Sequence, residues 1–507
     1  MPIIREKFYS RKTVFIVSTL IFLALAIKFF DHTVDDAFIS FRYAENLVEG
    51  HGLVFNPGER VEGYTNFLWV IISAFSISLS INPEIFMRIV GLLASIGTIA
   101  AVVRFGPKPN KFPSLVYAAP LLLAANPSFT VWSTGGMETP LFAFFVTWGV
   151  LLAAKGIEND KLPLSSAVLL GLSVLTRPEG ILVAALVFAT ALIIRLKNKK
   201  LGRDITLWLL VFAAIYLPYF IWRTSYYGFL FPNTFYAKVD TGGSQILRGF
   251  AYFHRFMSGI SYWLLLCLAG LIWTRKRRFI LALGILTTIY VFYVIYIGGD
   301  GLPLYRFFVP VLGVFFLLIS ESIKSWFEKF GNWKPLKAIS TIALVFTIVY
   351  SIVPSYAGPD FNYVKQDHDE VNCWKEIGRW FKANSKPDDS IAVIPAGAIP
   401  YYSGLKTIDM LGLNDLTIGQ KKMDDMGKGQ AGHEKYDINY VLSRKPVYVI
   451  IGVYSLSPRQ RPPEQLIRPS YPAETELLKS PDFNLQYSLQ IARTDGGFFY
   501  YFARNKN

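Results

Sequence analysis

Two adjacent aspartates, Asp35 and Asp36, open the run Val34-Asp-Asp-Ala-Phe-Ile-Ser-Phe-Arg-Tyr-Ala44. Polar groups beside a membrane are costly to bury, so acids at the mouth of a helix bundle are candidates for a functional site. Ala37, Phe41 and Ala44 repeat at helical spacing, so both acids stand at a helix start, where capping is the plain structural reading. Side chains of adjacent helical residues diverge by about 100°, so one acid is able to cap while the other faces a cavity. Further along, Glu59-Arg-Val-Glu62-Gly-Tyr64-Thr-Asn66 combines an aromatic ring with amide and carboxylate groups. That set suits a sugar, whose ring stacks and whose hydroxyls need polar partners; a solvated acidic face is the plainer alternative. Glu138 opens an apolar run after Gly135-Gly136, and Arg177 and Glu179 flank Pro178 between two such runs, either as site residues or as a clamp on each other. Asn233 and Lys238 lie in Phe231-Pro-Asn-Thr-Phe-Tyr-Ala-Lys238, and Asp300 precedes Arg306 by six positions. An arginine there serves as a snorkelling anchor or as a phosphate ligand.

These residues sit between long apolar stretches. The chain has 507 residues, 52% hydrophobic, 16% aromatic and only 17% charged, with mean hydropathy +0.36. Ordinary soluble domains carry about 25% charged residues. The composition excludes a disordered chain, a collagen and a disulfide scaffold, and points to a polytopic membrane protein. The net charge of +15 reads as the positive-inside rule rather than as a nucleic-acid surface. The cysteines, Cys267 in an apolar run and Cys373 in a polar one, are not expected to pair, and no zinc or redox spacing is present.

Apolar runs are expected at 13–30, 67–81, 83–103, 113–127, 138–154, 163–176, 181–195, 204–223, 257–274, 279–297, 304–320 and 337–353. The first follows Arg5, Lys7, Arg11 and Lys12 with no small-residue cleavage site, so it reads as an uncleaved span with a cytoplasmic N-terminus. Basic loops around Arg104–Lys111, Arg195–Arg203, Arg275–Arg278 and Lys324–Lys337 are assigned to the cytoplasm, which puts the loops at 31–66, 128–137, 177–180, 224–256 and 298–303 outside. Parity then requires one run before residue 104 not to cross. The 67–81 run is short and precedes Asn82-Pro83, so it is placed at the outer interface or as a re-entrant segment. About eleven spans remain, and residues 1–353 form the membrane domain.

From residue 354 the chain turns polar. Residues 367–384 have helical periodicity, 391–395, 447–451 and 498–502 read as strands, and 419–435 as an irregular loop. Residues 354–507 are therefore expected to form one extracytoplasmic α/β domain. The candidate polar residues crowd the outer side. A secondary transporter would instead place ionisable residues mid-span and show repeats.

The run from Asp35 through Gly50-His-Gly-Leu-Val-Phe-Asn-Pro-Gly-Glu-Arg-Val-Glu-Gly-Tyr-Thr-Asn-Phe-Leu-Trp69 resembles the terminal arabinofuranosyltransferases of mycobacterial cell walls and their bacterial relatives, some labelled flagellar motor control proteins. Gly-Met-Glu138-Thr-Pro-Leu, Thr-Arg177-Pro-Glu-Gly, Phe-Pro-Asn233-Thr-Phe-Tyr-Ala-Lys, Gly-Gly-Asp300 and Ile408-Asp-Met-Leu-Gly-Leu-Asn-Asp415 follow in order. The resemblance implies a GT-C integral-membrane glycosyltransferase in a bacterial cytoplasmic (inner) membrane. It implies a polyprenyl-phosphate sugar donor, an envelope glycan acceptor, and Asp35 or Asp36 as the catalytic carboxylate in the first outer loop. Arg306, Lys238 and Arg177 are then the candidates for the donor phosphate. Arg42, Glu62, Tyr64, Asn66, Glu138, Glu179, Asn233 and Asp300 are candidates for substrate contact. Asp35, Asp36 and Glu138 are the set that would take a divalent metal if the reaction uses one. A non-catalytic envelope-assembly or motility scaffold is the reading from another class.

Overall fold

The computed structural model describes residues 10–107, 117–199, 202–239, 243–260, 265, 268–330, 335, 338, 342, 345–346, 349–350, 358–424 and 426–506. Cys267 and most of the 337–353 run lie outside them. The chain divides into two compact units, each made of three segments: residues 1–32, 87–221 and 249–362 in the first, and 33–86, 222–248 and 363–507 in the second.

The first unit is a helical bundle. Among the described residues seven helices are long and apolar enough to cross a membrane: Arg11–Phe29, Pro83–Phe105, Thr139–Glu158, Gly180–Lys197, Arg203–Tyr227, Arg277–Tyr296 and Arg306–Phe330. They expose Leu20, Ile27, Leu93, Ile193, Leu210, Ile221 and Phe292, single large apolar groups that suit lipid rather than water. The chain is thus a multi-pass membrane protein. The expected count of about eleven is not confirmed, and the 337–353 run lies largely outside the described residues. Leu164–Thr176 is a helix of only 13 residues. The 113–127 run yields Ala118–Ala125, stopped where Asn126 caps a new helix, Pro127–Trp132. Proline at a first helical position starts a helix and cannot continue one. The 257–274 run holds the end of an amphipathic helix, Gly243–Ile260, and a short 3₁₀ helix, Leu268–Trp273. Phe67–Ser78, in the second unit, has 12 residues, too few to span and in keeping with its demotion by parity.

The second unit carries a five-stranded mixed sheet, β1 (Ser390–Val393), β2 (Lys406–Asp409), β3 (Tyr448–Val449), β4 (Tyr487–Arg493) and β5 (Phe498–Arg504), in the order β2-β1-β3-β5-β4. β1 runs parallel to β2 and β3, and β5 antiparallel to β3 and β4. Ile391 pairs with Thr407 on one side and Tyr448 on the other. Strands covered on both faces read as unbroken apolar runs, and Ile391–Val393 are fully buried. Ile408, Val449, Ile451, Leu477 and Phe483 share the core. The expected strands at 391–395, 447–451 and 498–502 are present, and the expected 367–384 helix is longer, at Pro359–Asn384. β2 and β4 were not legible, being short or alternating with exposed polar residues.

The helix Asp35–Val48 packs on this domain. Phe38 and Phe41 meet the rings of Tyr401 and Tyr402 at 5.7–6.1 Å. Buried Arg42 ties the helix to the backbone: Nε donates to Phe55 O (2.7 Å), Nη2 to Leu405 O (2.7 Å), and Nη1 to Pro400 O.

Candidate active site

In the second unit, Asp35 is the first residue of its helix and Val34 the cap. Asp35 does not cap its own helix, contrary to the plain expectation. Its carboxylate accepts N–H bonds from the loop after β1 instead: Gly397 N to Oδ2 at 2.9 Å and Ala398 N to Oδ1 at 2.7 Å. Burial pushes its pKa up to about 7, against those two bonds, with the charges of Asp36 and Asp409 pushing the same way. Asp36 is half-buried and has no hydrogen bond or ion pair among the described residues.

Two further acids surround this point. Asp367, on the helix Pro359–Asn384, is held above the usual carboxylate range by burial and by Asp35 and Asp36. Asp409, at the end of β2, is buried and pushed up to about 6; it accepts from Leu411 N (3.0 Å), Asn414 N (2.8 Å) and Asn414 Nδ2 (3.1 Å). Neither was singled out from sequence as a site residue. Asp367 lies about 330 positions from Asp35, and only the fold brings the two together.

The remaining candidates of this unit are built into its interior. Glu62 pairs with Arg223 (2.8 Å) and is pushed up to about 7 by burial. Tyr64 is buried edge-on to Tyr43 at 4.7 Å and bonds the Tyr227 hydroxyl at 3.2 Å. Asn66 Nδ2 donates to Ser40 at 3.0 Å. Gly63 packs where a Cβ would fall 1.9 Å from Asn414 Oδ1, so the Gly63-Tyr64 pair serves packing. Asn233 Nδ2 donates to the carbonyls of Gly412, Leu413 and Asp415 at 2.9–3.2 Å, while its Oδ1 is buried without a partner among the described residues. Lys238 is half-buried; a Cβ on Gly432 would fall 3.0 Å from its Cε.

The first unit holds the other cluster. Arg177 donates from Nη1 to Glu138 Oε1 (2.5 Å) and forks onto Glu179 through Nε (3.2 Å) and Nη2 (2.7 Å). The clamp reading of Arg177 and Glu179 is therefore realised, with Glu138 as a third member. Arg306 forks onto Asp300 through Nε (2.7 Å) and Nη2 (3.2 Å), and its buried Nη1 has no hydrogen-bond partner among the described residues. Both guanidiniums lie beside the Phe307 ring, at 5.1 and 5.3 Å, and Arg306 lies 5.4 Å from Trp132. Leu304 and Tyr305 have φ +55° and +50°. Left-handed backbone at two consecutive non-glycine residues costs about 1–3 kcal/mol each and gathers at functional sites. Trp132 Nε1 donates to Leu304 O at 3.3 Å and helps hold that turn. Among the described residues no three His, Cys, Asp or Glu are grouped as a metal site; Glu138, proposed as the third ligand, belongs to the Arg177 clamp.

A family model described as a domain of unknown function (DUF8728) matches residues 362–502. The chain is 30% identical over 270 residues to a terminal β-(1→2)-arabinofuranosyltransferase of Mycobacterium tuberculosis, covering 48% of this chain and 41% of the relative. It is 26% identical over 331 residues to the enzyme of that name from Corynebacterium glutamicum, covering 55% of this chain and 47% of the relative. The chain thus spans less than half the length of these curated relatives. Among solved structures, ArnT from Cupriavidus metallidurans bound to undecaprenyl phosphate matches with TM-score 0.55 at 13% identity, covering 80% of this chain and 87% of that one. The fold is that of the GT-C membrane glycosyltransferases, and the curated relatives matched in sequence bear the name of the family that the motifs resemble.

Proposed function

We propose that the chain is a glycosyltransferase of the bacterial cytoplasmic membrane that moves a sugar from a polyprenyl-phosphate donor to an envelope glycan on the outer face. Arabinofuranose is the first sugar to test, because the relatives matched in sequence carry that name. A lipid-phosphate donor is supported by the undecaprenyl phosphate held by the ArnT neighbour.

The observation that carries the reading is the Asp35 carboxylate, fixed by two amides and poised at about 7. A general base works best when its pKa lies near the working pH. Asp35 takes the acceptor hydroxyl's proton as the new C–O bond forms at the anomeric carbon. The bond from that carbon to the phosphate oxygen breaks, and polyprenyl phosphate leaves. The leaving charge needs a directed donor. Arg306 offers Nη1, which Asp300 leaves unused. Arg177 is committed to two carboxylates, so it serves better as scaffold, and Lys238 is the second cation to test.

The test is deletion of the chain and complementation with wild type, Asp35→Asn or Asp36→Asn at matched membrane levels, followed by glycan linkage analysis. A linkage that vanishes on deletion, returns with wild type and stays absent with Asp35→Asn identifies the sugar and the base. Unchanged glycans throughout would favour an assembly scaffold.

A further inference from the structure

β1 lies between β2 and β3, so the chain leaves it to one side and later returns to the other. In open α/β sheets, ligands gather at the carboxyl ends of strands where the order reverses. Here that place receives part of the protein itself. The loop leaving β1 sends the N–H groups of Gly397 and Ala398 to the two oxygens of Asp35. A Cβ on Gly397 would fall 1.9 Å from the Asp35 carbonyl oxygen and 2.7 Å from its Cγ. No side chain fits there unless Asp35 moves. The loop leaving β2 grips the neighbouring segments in the same way, with Leu413 and Asn414 against Gly63 and its carbonyls on Asn233.

We propose that the α/β domain matched by a family model of unknown function is the holder of the catalytic carboxylate, and that Gly397 is its positioning residue. The proposal rests on Asp35 being the base. Two amide donors aim the carboxylate while leaving it free to accept a proton, which a guanidinium would prevent. The charged groups that bear most on Asp35 are Asp36 on its own helix and Asp409 at the end of β2, and Asp35 in turn acts on Asp367 of the helix Pro359–Asn384. All are acids, so the amides are the counterweight that keeps the ionised form accessible.

The test uses the full chain in nanodiscs with a synthetic polyprenyl-phosphate arabinofuranose donor and an arabinoside acceptor. kcat and KM are measured across pH for wild type, Gly397→Ala, Asp35→Asn and the control Gly284→Ala, where a Cβ meets open space. Gly397→Ala is expected to lower kcat at least tenfold, leave KM within about twofold, and move the acid limb to higher pH, because lost amide bonds favour the protonated acid. A wild-type kcat and acid limb in Gly397→Ala, with Asp35→Asn inactive, overturns the holder proposal alone. Full activity of Asp35→Asn overturns the catalytic reading, and this proposal with it. If Gly397→Ala does not fold, amide hydrogen exchange decides. Asp35→Ala should speed exchange at residues 397–398 at least tenfold and Asp36→Ala should not; equal exchange in both overturns the holder.

Discussion

The Arg177–Arg306 cluster of the first unit and the Asp35 site of the second hold their carboxylates by opposite means. In the first, Glu138, Glu179 and Asp300 are gripped by Arg177 and Arg306 at 2.5–3.2 Å. In the second, Asp35 is gripped by two neutral amides, with only acids as charged neighbours among the groups that set its pKa. A guanidinium orients a carboxylate and also locks its charge, which suits architecture or the handling of another anion. An amide pair orients it and leaves it able to exchange a proton. On the proposed reading, the contrast separates an acid held for proton exchange from acids held for architecture. It also suggests why sequence alone could not choose between clamp and catalyst.

The largest effect expected on this contrast comes from Arg177→Met. It strands two buried carboxylates and should cost about 3–5 kcal/mol, read as a lower melting temperature or loss of extractable protein. Arg177→Lys should fall between, since it keeps the charge and loses the fork. Arg306→Lys keeps a charge for Asp300 and removes the unused donor. A drop of about 100-fold in kcat/KM is expected, and unchanged kinetics would remove Arg306 from the phosphate role.

The pH dependence of stability probes the second unit. Asp35 and Glu62 stand at about 7 and Asp409 at about 6, above unfolded carboxylates near 4. Between these values the native state binds more protons than the unfolded one. Their contribution is therefore full at low pH and is lost as pH rises through 6 to 7. Thermal melts should fall from pH 5.5 to 8.5 by the equivalent of roughly 1–3 kcal/mol, and a rise would contradict these environments. The smallest effect is expected from Asp36→Asn. Removing a like charge should lower the acid limb of the rate profile by about 0.3 pH unit.

Much of this was legible beforehand. Long apolar runs announced the spans, and Asn82-Pro83 marked the short helix before them. Asp35-Asp36 stood out because paired acids beside a span are rare. Helix breaks at Asn126-Pro127 and the 13-residue Leu164–Thr176 helix escaped, since hydropathy measures apolarity and not where a helix stops. Gly397 and Asp367 escaped for another reason. One acts through its backbone and its lack of a side chain, the other through a contact across most of the chain. Arg42, Tyr64 and Asn66 belong to polar types able to bind sugars that also tie loops to helices, and the structure shows them making such internal ties.

The central claim is that the amide-held acid, and not its neighbour, is the base. Single-turnover transfer from the lipid donor by matched amounts of Asp35→Asn and Asp36→Asn tests it most directly. The account predicts a loss of about 10²–10⁴-fold for Asp35→Asn and less than about tenfold for Asp36→Asn, with both variants melting near wild type. The reverse order, or equal losses, would contradict it.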